Sequence, residues 1–203
     1  YLCRPDGARY PEQLTELAAA VDYVKKHADE MHVNPDEVFV VGFSAGGHLT
    51  ADLAVEWQCV AQKTGRDFDC RPRAVGLAYA VISCKCRHSD SYINLLEGYT
   101  DEAKKQLEEE LCLDARVTKN TPPAFLWTTA EDTCVPPENT LVYALALDRN
   151  KIPYELHIYP QGNHGSSDCD WEVNPSCAEY LRKNAEWLDD CARFFRMYTA
   201  EKF

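Results

Sequence analysis

Residues 38–50 read Val38-Phe39-Val40-Val41-Gly42-Phe43-Ser44-Ala45-Gly46-Gly47-His48-Leu49-Thr50, and this stretch decides the fold. Val38 to Val41 is a continuous apolar run, the pattern of a strand buried on both faces. Gly42 ends it, and Ala45 to Gln58 reads as a helix. Between them, Gly42-Phe43-Ser44-Ala45-Gly46 matches G-x-S-x-G. Alone, such a match arises by chance in a chain of this length with a probability of roughly 0.07. Its place between a strand and a helix is what makes it specific, because a nucleophile elbow needs that context. The turn is expected to be too sharp for side chains on either flank, which accounts for Gly42 and Gly46. Ser44 Oγ then projects at the carboxyl end of the strand, near the positive N-terminus of the following helix. The Ala45 N–H faces the same space and can donate to a developing oxyanion.

The same alternation continues on both sides. Pro11 to Met31 carries apolar residues at spacings of three and four, one face of a helix. Downstream, strands are expected over Ala74–Ile82, Ala124–Trp127 and Tyr154–Tyr159, with helices over Thr100–Leu111 and Pro137–Arg149. A long helix follows from Asn174-Pro175 through Phe195. Strands alternating with helices predict an α/β fold, a parallel sheet covered by helices on both faces. With 203 residues, 45% of them hydrophobic, the chain suits one domain over 1–203. In such a sheet, chemistry gathers at the carboxyl ends of the strands.

A serine nucleophile needs a general base, and a neutral imidazole is the usual one. Of six histidines, His48 lies in the body of the elbow helix, His157 inside a strand, and His27 and His32 at the end of a surface helix. His164 differs: Gln161-Gly162-Asn163-His164-Gly165 is a loop just after the last strand. The acid should lie between serine and histidine in the chain. Thr128-Thr129-Ala130-Glu131-Asp132 follows the Ala124–Trp127 strand, and Asp132 is the candidate ahead of Glu131. Its task would be to hold the imidazole tautomer and stabilise the imidazolium.

These residues carry a resemblance. GFSAGGHL (42–49), TPPAFLWTTAEDTCVPPEN (121–139) and YELHIYPQGNHG (154–165) resemble the esterase/lipase branch of the α/β-hydrolases, and most of all bacterial acetyl esterases of the acetylxylan esterase type. RPDGARYP (4–11) resembles the segment leading into the helix before the elbow. The resemblance implies hydrolysis of short acyl esters, such as acetyl groups on sugars, by Ser44, Asp132 and His164 without a metal or organic cofactor. It also favours Asp132 over Glu131. The family carries a His-Gly-Gly-Gly-like loop that supplies further oxyanion donors, and no such loop occurs in this sequence. The loop and the first strands of the fold are therefore expected upstream of Tyr1, where they would pair with the hydrophobic Val38–Val41 edge. Losing one such donor typically costs about 10²–10³ in rate.

Composition narrows the partners. A net charge of −12 argues against nucleic acid or an anionic membrane, and no apolar run is long enough to span a bilayer. That leaves a small-molecule or acylated-sugar ester as the partner, and a homo-oligomer among the assemblies the sequence allows. Ten cysteines without Cys-x-x-Cys or zinc-finger spacing predict reduced, mostly buried thiols in a cytoplasmic protein, with a disulfide-bearing secreted chain as the alternative. Residues 1–11 lack the basic-then-apolar layout of a secretion signal. In the Cys84–Asn94 segment, His88 and Ser91 are candidate substrate contacts, with ordinary loop residues as the simpler reading. Trp171 is read either as a sugar-stacking ring or as a core or lid tryptophan. Two other functions share these motifs: a prolyl-oligopeptidase-type serine peptidase, and a non-catalytic binding protein of the same fold.

Overall fold

The fold was established from a computed structural model, which describes residues 8–86, 88, 90–174 and 179–200. Four strands form one sheet in the order β1-β2-β3-β4, all parallel: β1 (Val40–Phe43), β2 (Val75–Ala78), β3 (Ala124–Thr129) and β4 (Tyr154–Tyr159). The helices α1 (Glu12–Lys26) and α2 (Ala28–Met31) precede β1, and α3 (Ala45–Glu56) and α4 (Val60–Thr64) follow it. Between β2 and β3 lie α5 (Ser91–Leu95) and α6 (Asp101–Glu110). The helix α7 (Glu138–Arg149) joins β3 to β4, and α8 (Glu179–Asn184) and α9 (Trp187–Arg196) close the described chain. The parallel sheet with flanking helices is the predicted α/β architecture.

Side-chain alternation along the two central strands explains both layers. Val75 and Leu77 of β2, with Ala124 and Leu126 of β3, pack against Ala51 and Ala54 of α3 and Tyr143 and Leu147 of α7. The intervening Ala78, Phe125 and Trp127 pack on the other face against Leu181, Trp187, Cys191 and Phe194. Gly76 points the same way, with Cys191 Sγ only 3.3 Å from where a Cβ would sit. A further apolar cluster seats α1 on the outside of α3 through Leu14, Ala18, Val21 and Leu53. Among the described residues no helix is long and apolar enough to cross a membrane.

Several expected boundaries move, each for a local reason. The first strand is Val40–Phe43 rather than Val38–Val41, and it is not buried on both faces: Val41 is 40% exposed and Phe43 36%. Among the described residues it has a strand partner on one edge only, β2. The second strand stops at Ala78, because Tyr79 takes a positive φ of 37° and turns the chain out of the ladder. The single helix expected over Pro11–Met31 breaks at His27, whose φ of −108° ends α1. The long helix expected through Phe195 is interrupted at Ala185 and Glu186, and residues 175–178 lie outside the described residues. By contrast β4 runs over the predicted Tyr154–Tyr159.

The cysteines require a correction. Cys84 and Cys112 form a disulfide, with Cα atoms 5.6 Å apart. They are 28 residues apart in sequence, and the loop after β2 meets the end of α6 where Leu113 N–H donates to Ile82 O at 3.0 Å. Cys59, Cys70, Cys86, Cys169 and Cys191 are free thiols; Cys3 and Cys177 lie outside the described residues.

Candidate active site

Ser44 sits between β1 and α3 with φ 53° and ψ −116°. A non-glycine residue held there stores roughly 1–3 kcal/mol of strain and needs its surroundings to enforce it. They do so through the backbone. Ser44 N–H donates to Ala78 O at 3.0 Å, and Ser44 O accepts from His48 N–H at 3.1 Å and from Val81 N–H at 3.3 Å. A Cβ on Gly42 would come within 2.3 Å of Gly46 O and Thr50 Oγ1, and one on Gly47 within 2.5 Å of Ala80 Cβ. At Gly46 a Cβ would meet nothing within 4 Å. Close approach thus explains Gly42 and Gly47, not Gly46 as the motif suggested. Ala45 opens α3, so its N–H is one of the first helical donors with no carbonyl partner inside the helix.

His164 and Asp132 reach Ser44 across β2, from the loops that follow β4 and β3. Ser44 Oγ lies 2.8 Å from His164 Nε2, and His164 Nδ1 lies 2.6 Å from Asp132 Oδ2. The other Asp132 oxygen, Oδ1, accepts the Cys134 and Val135 N–H groups at 3.0 and 2.9 Å. Asp132 is buried, whereas its neighbour Glu131 is exposed. The three residues singled out in the sequence are therefore brought into one hydrogen-bonded chain.

The loop carrying His164 is held by side chains that sequence reasoning did not find. Thr129 Oγ1 donates to Gly162 O at 2.6 Å, and Asn184 Nδ2 donates to Gln161 O at 2.8 Å. Glu131 Oε2 accepts the Gly162 N–H at 3.1 Å. Gly162 itself adopts φ 137°. After the histidine, Ser166 Oγ donates to Asn163 O at 2.8 Å. Trp187 Nε1 donates to Ser167 O and Ser167 N–H donates to the Tyr79 hydroxyl, both at 3.0 Å. Two signals were present in the sequence: a threonine ending an apolar strand, and Asn184 on the same helical stripe as Leu181.

Buried His48 bonds through Nδ1 to Val81 O at 3.0 Å, and burial lowers its pKa to about 4, so it stays neutral and structural. Ser91 opens α5 and His88 precedes it, lying against Tyr92 at 4.7 Å between ring centroids. Trp171 is 68% exposed and makes no ring contact with another described residue. Among the described residues, Glu155, His157 and Asp190 alone have spacing that suits a metal ion. There the two nitrogens of one imidazole face different carboxylates, Nε2 at 2.7 Å from Glu155 and Nδ1 at 3.8 Å from Asp190, and Arg193 pairs with Asp190.

Known proteins resemble the chain along most of its length. It is 35% identical over 160 residues to endo-1,4-beta-xylanase B of Butyrivibrio fibrisolvens, covering 77% of this chain and 25% of that protein. It is 33% identical over 153 residues to the acetylxylan esterase of Xylanibacter ruminicola, covering 73% and 30%. The chain thus spans between a quarter and a third of the length of these relatives. The solved acetyl ester-xyloside bifunctional hydrolase of Caldicellulosiruptor lactoaceticus superposes with a TM-score of 0.72 at 31% identity, over 91% of this chain and 68% of that one. Residues 11–195, a span that includes all four strands and the Ser44, Asp132 and His164 cluster, match the prolyl oligopeptidase family, and the chain belongs to that family of α/β-hydrolases.

Proposed function

We propose that this chain is the catalytic part of a serine carboxylic ester hydrolase that removes short acyl groups, acetyl above all, from carbohydrate. The observation that carries this reading is the hydrogen-bonded chain from Ser44 through His164 to Asp132 at three strand ends. His164 Nε2 takes the proton as Ser44 Oγ attacks the ester carbonyl carbon. The carbonyl oxygen becomes an oxyanion facing the Ala45 N–H and the N-terminus of α3. Collapse expels the alcohol, which receives the proton from His164, and leaves the acyl group on Ser44. Water, deprotonated by His164, then attacks the acyl-enzyme, and release of the carboxylic acid restores the serine. Asp132 keeps the Nδ1 proton directed towards itself throughout and stabilises the imidazolium.

Carbohydrate as the alcohol portion is supported by the relatives. Both curated proteins have xylan activities in their names, and the solved hydrolase is described as acting on acetyl esters and xylosides. The test is hydrolysis of p-nitrophenyl acetate, butyrate and octanoate and of acetylated xylan, beside Ser44→Ala. Hydrolysis that falls with acyl length, extends to acetylated xylan and disappears in the variant supports the reading. Equal rates in both proteins would remove Ser44 from the mechanism.

The family match favours a second reading, a serine peptidase using the same three residues. A peptide p-nitroanilide with proline at the cleaved bond, compared with the acetyl ester at equal concentration, separates the two. Faster release from the anilide would replace the esterase reading.

A further inference from the structure

We propose that Tyr79 is a positioning residue for His164, fixing the tilt of an imidazole whose two hydrogen bonds leave that tilt open. The proposal rests on the triad reading above.

Tyr79 is the first residue past β2 and is 4% exposed. Its backbone turns out of the sheet at φ 37°, anchored by its N–H donating to Trp127 O at 2.7 Å. This turn carries the side chain beneath the catalytic edge instead of along the ladder. There the ring stands edge-to-face against His164, with centroids 4.9 Å apart and planes at 70°. It also contacts Phe43, the residue before the serine, at 6.0 Å, and Trp127 at 5.0 Å. One side chain thus touches the elbow, the end of β3 and the imidazole.

The hydrogen bonds to Asp132 and Ser44 hold the two imidazole nitrogens, but the ring can still rotate about the line joining them. Because the nitrogen lone pairs lie in the ring plane, that rotation changes how Nε2 points at Ser44 Oγ and at a leaving oxygen. A packed aromatic wall removes this freedom, and edge-to-face contacts of this kind have a preferred geometry. Misplacement on the ångström scale at a reacting group can cost about 100-fold in rate.

The hydroxyl acts on the loop. It accepts the Ser167 N–H at 3.0 Å, three residues beyond His164, and Ser167 adopts a positive φ of 52°. Trp187 holds the carbonyl of the same residue. Burial pushes the Tyr79 pKa up to about 12, so the hydroxyl stays neutral across the working range of an esterase.

Tyr79→Phe and Tyr79→Leu separate ring from hydroxyl. Kinetics on p-nitrophenyl acetate would be measured together with ¹⁵N NMR titration of the His164 ring and amide exchange at Ser167. Tyr79→Leu is expected to lower kcat by about 10- to 100-fold at unchanged KM and to shift the His164 titration. Tyr79→Phe should retain most of kcat while Ser167 amide exchange accelerates. If the leucine variant does not fold, the phenylalanine variant carries the test through Ser167 exchange and the His164 resonance. Wild-type kcat, titration and exchange in the folded variants would overturn the proposal. A Ser44→Ala protein as active as wild type would instead overturn the triad reading, and the His164 resonance would still report on Tyr79.

Discussion

Glu131 and Gly162 are joined by a hydrogen bond of 3.1 Å from the Gly162 N–H to Glu131 Oε2. The bond ties the end of β3 to the loop that carries His164. Two consecutive carboxylates therefore divide the work: Glu131 holds the loop from outside, and Asp132 holds the imidazole from within. Asp132→Asn should lower kcat by about 10³–10⁴-fold, because an amide cannot hold the required tautomer in the same way. Glu131→Gln, which keeps an acceptor oxygen, should stay within about tenfold of wild type. Steady-state kinetics on a short acyl ester would decide this, and a reversed ranking would mean the acid is misassigned.

Thr129 makes the shortest of the loop bonds, 2.6 Å to Gly162 O, and is buried. Thr129→Val leaves that carbonyl without its donor and should cost about 1–3 kcal/mol in urea unfolding. Activity should fall with stability, since the same loop positions His164.

The elbow glycines should respond differently to alanine. At Gly42 the added Cβ would press within 2.3 Å of Gly46 O, a backbone atom, so Gly42→Ala should abolish folding or activity. At Gly46 the space is open and the residue is helical, so Gly46→Ala should be tolerated and can add up to about 1 kcal/mol of stability. Thermal melts of the two proteins, with esterase rates, test the contrast.

His48 makes stability depend on pH in a defined direction. Its pKa falls from 6.5 to about 4 on folding, chiefly through burial. The unfolded chain therefore binds this proton more readily, and stability is lost as pH drops from about 6.5 towards 4, by roughly 3 kcal/mol in all. Asp52, raised by burial from 3.8 to about 7, acts in the opposite sense, losing stability as pH rises through that window. A difference measurement isolates the histidine. His48→Asn can retain a donor towards Val81 O, so the stability gap between wild type and variant should narrow as pH falls from 7 to 4. A constant gap would place the acid sensitivity elsewhere.

The Cys84–Cys112 disulfide closes a loop of 28 residues. In the chain-entropy view such a link contributes about 3–4 kcal/mol. Non-reducing peptide mapping should recover the two cysteines in linked peptides, and the double serine variant should melt at a lower temperature.

Much of this architecture was legible in the sequence because each signal was local. The elbow follows from glycines beside a serine between two periodic patterns, and β4 was read at its observed boundaries. The edge expected at Val38–Val41 stands two residues later, at Val40–Phe43, since periodicity records which residues are apolar and not where strand pairing begins. Tyr79 ends β2 through one backbone angle, which no hydrophobic pattern encodes. The disulfide joins a loop to a helix end across 28 residues, a relationship of packing rather than spacing. Asp132 and His164 were reachable because strand ends are where parallel sheets assemble chemistry. Thr129 and Asn184 leave only faint signals, a strand-ending threonine and a helical stripe, and Tyr79 leaves none, because each acts through a contact that exists only in the folded chain.

The most direct measurement is covalent labelling with a fluorophosphonate, followed by peptide mapping by mass. If Ser44 is the activated nucleophile, the adduct falls on the peptide containing Ser44, and His164→Ala abolishes it or slows it severely. Labelling at another residue, or equal labelling of Ser44→Ala, would contradict the assignment of Ser44, His164 and Asp132 as one catalytic unit.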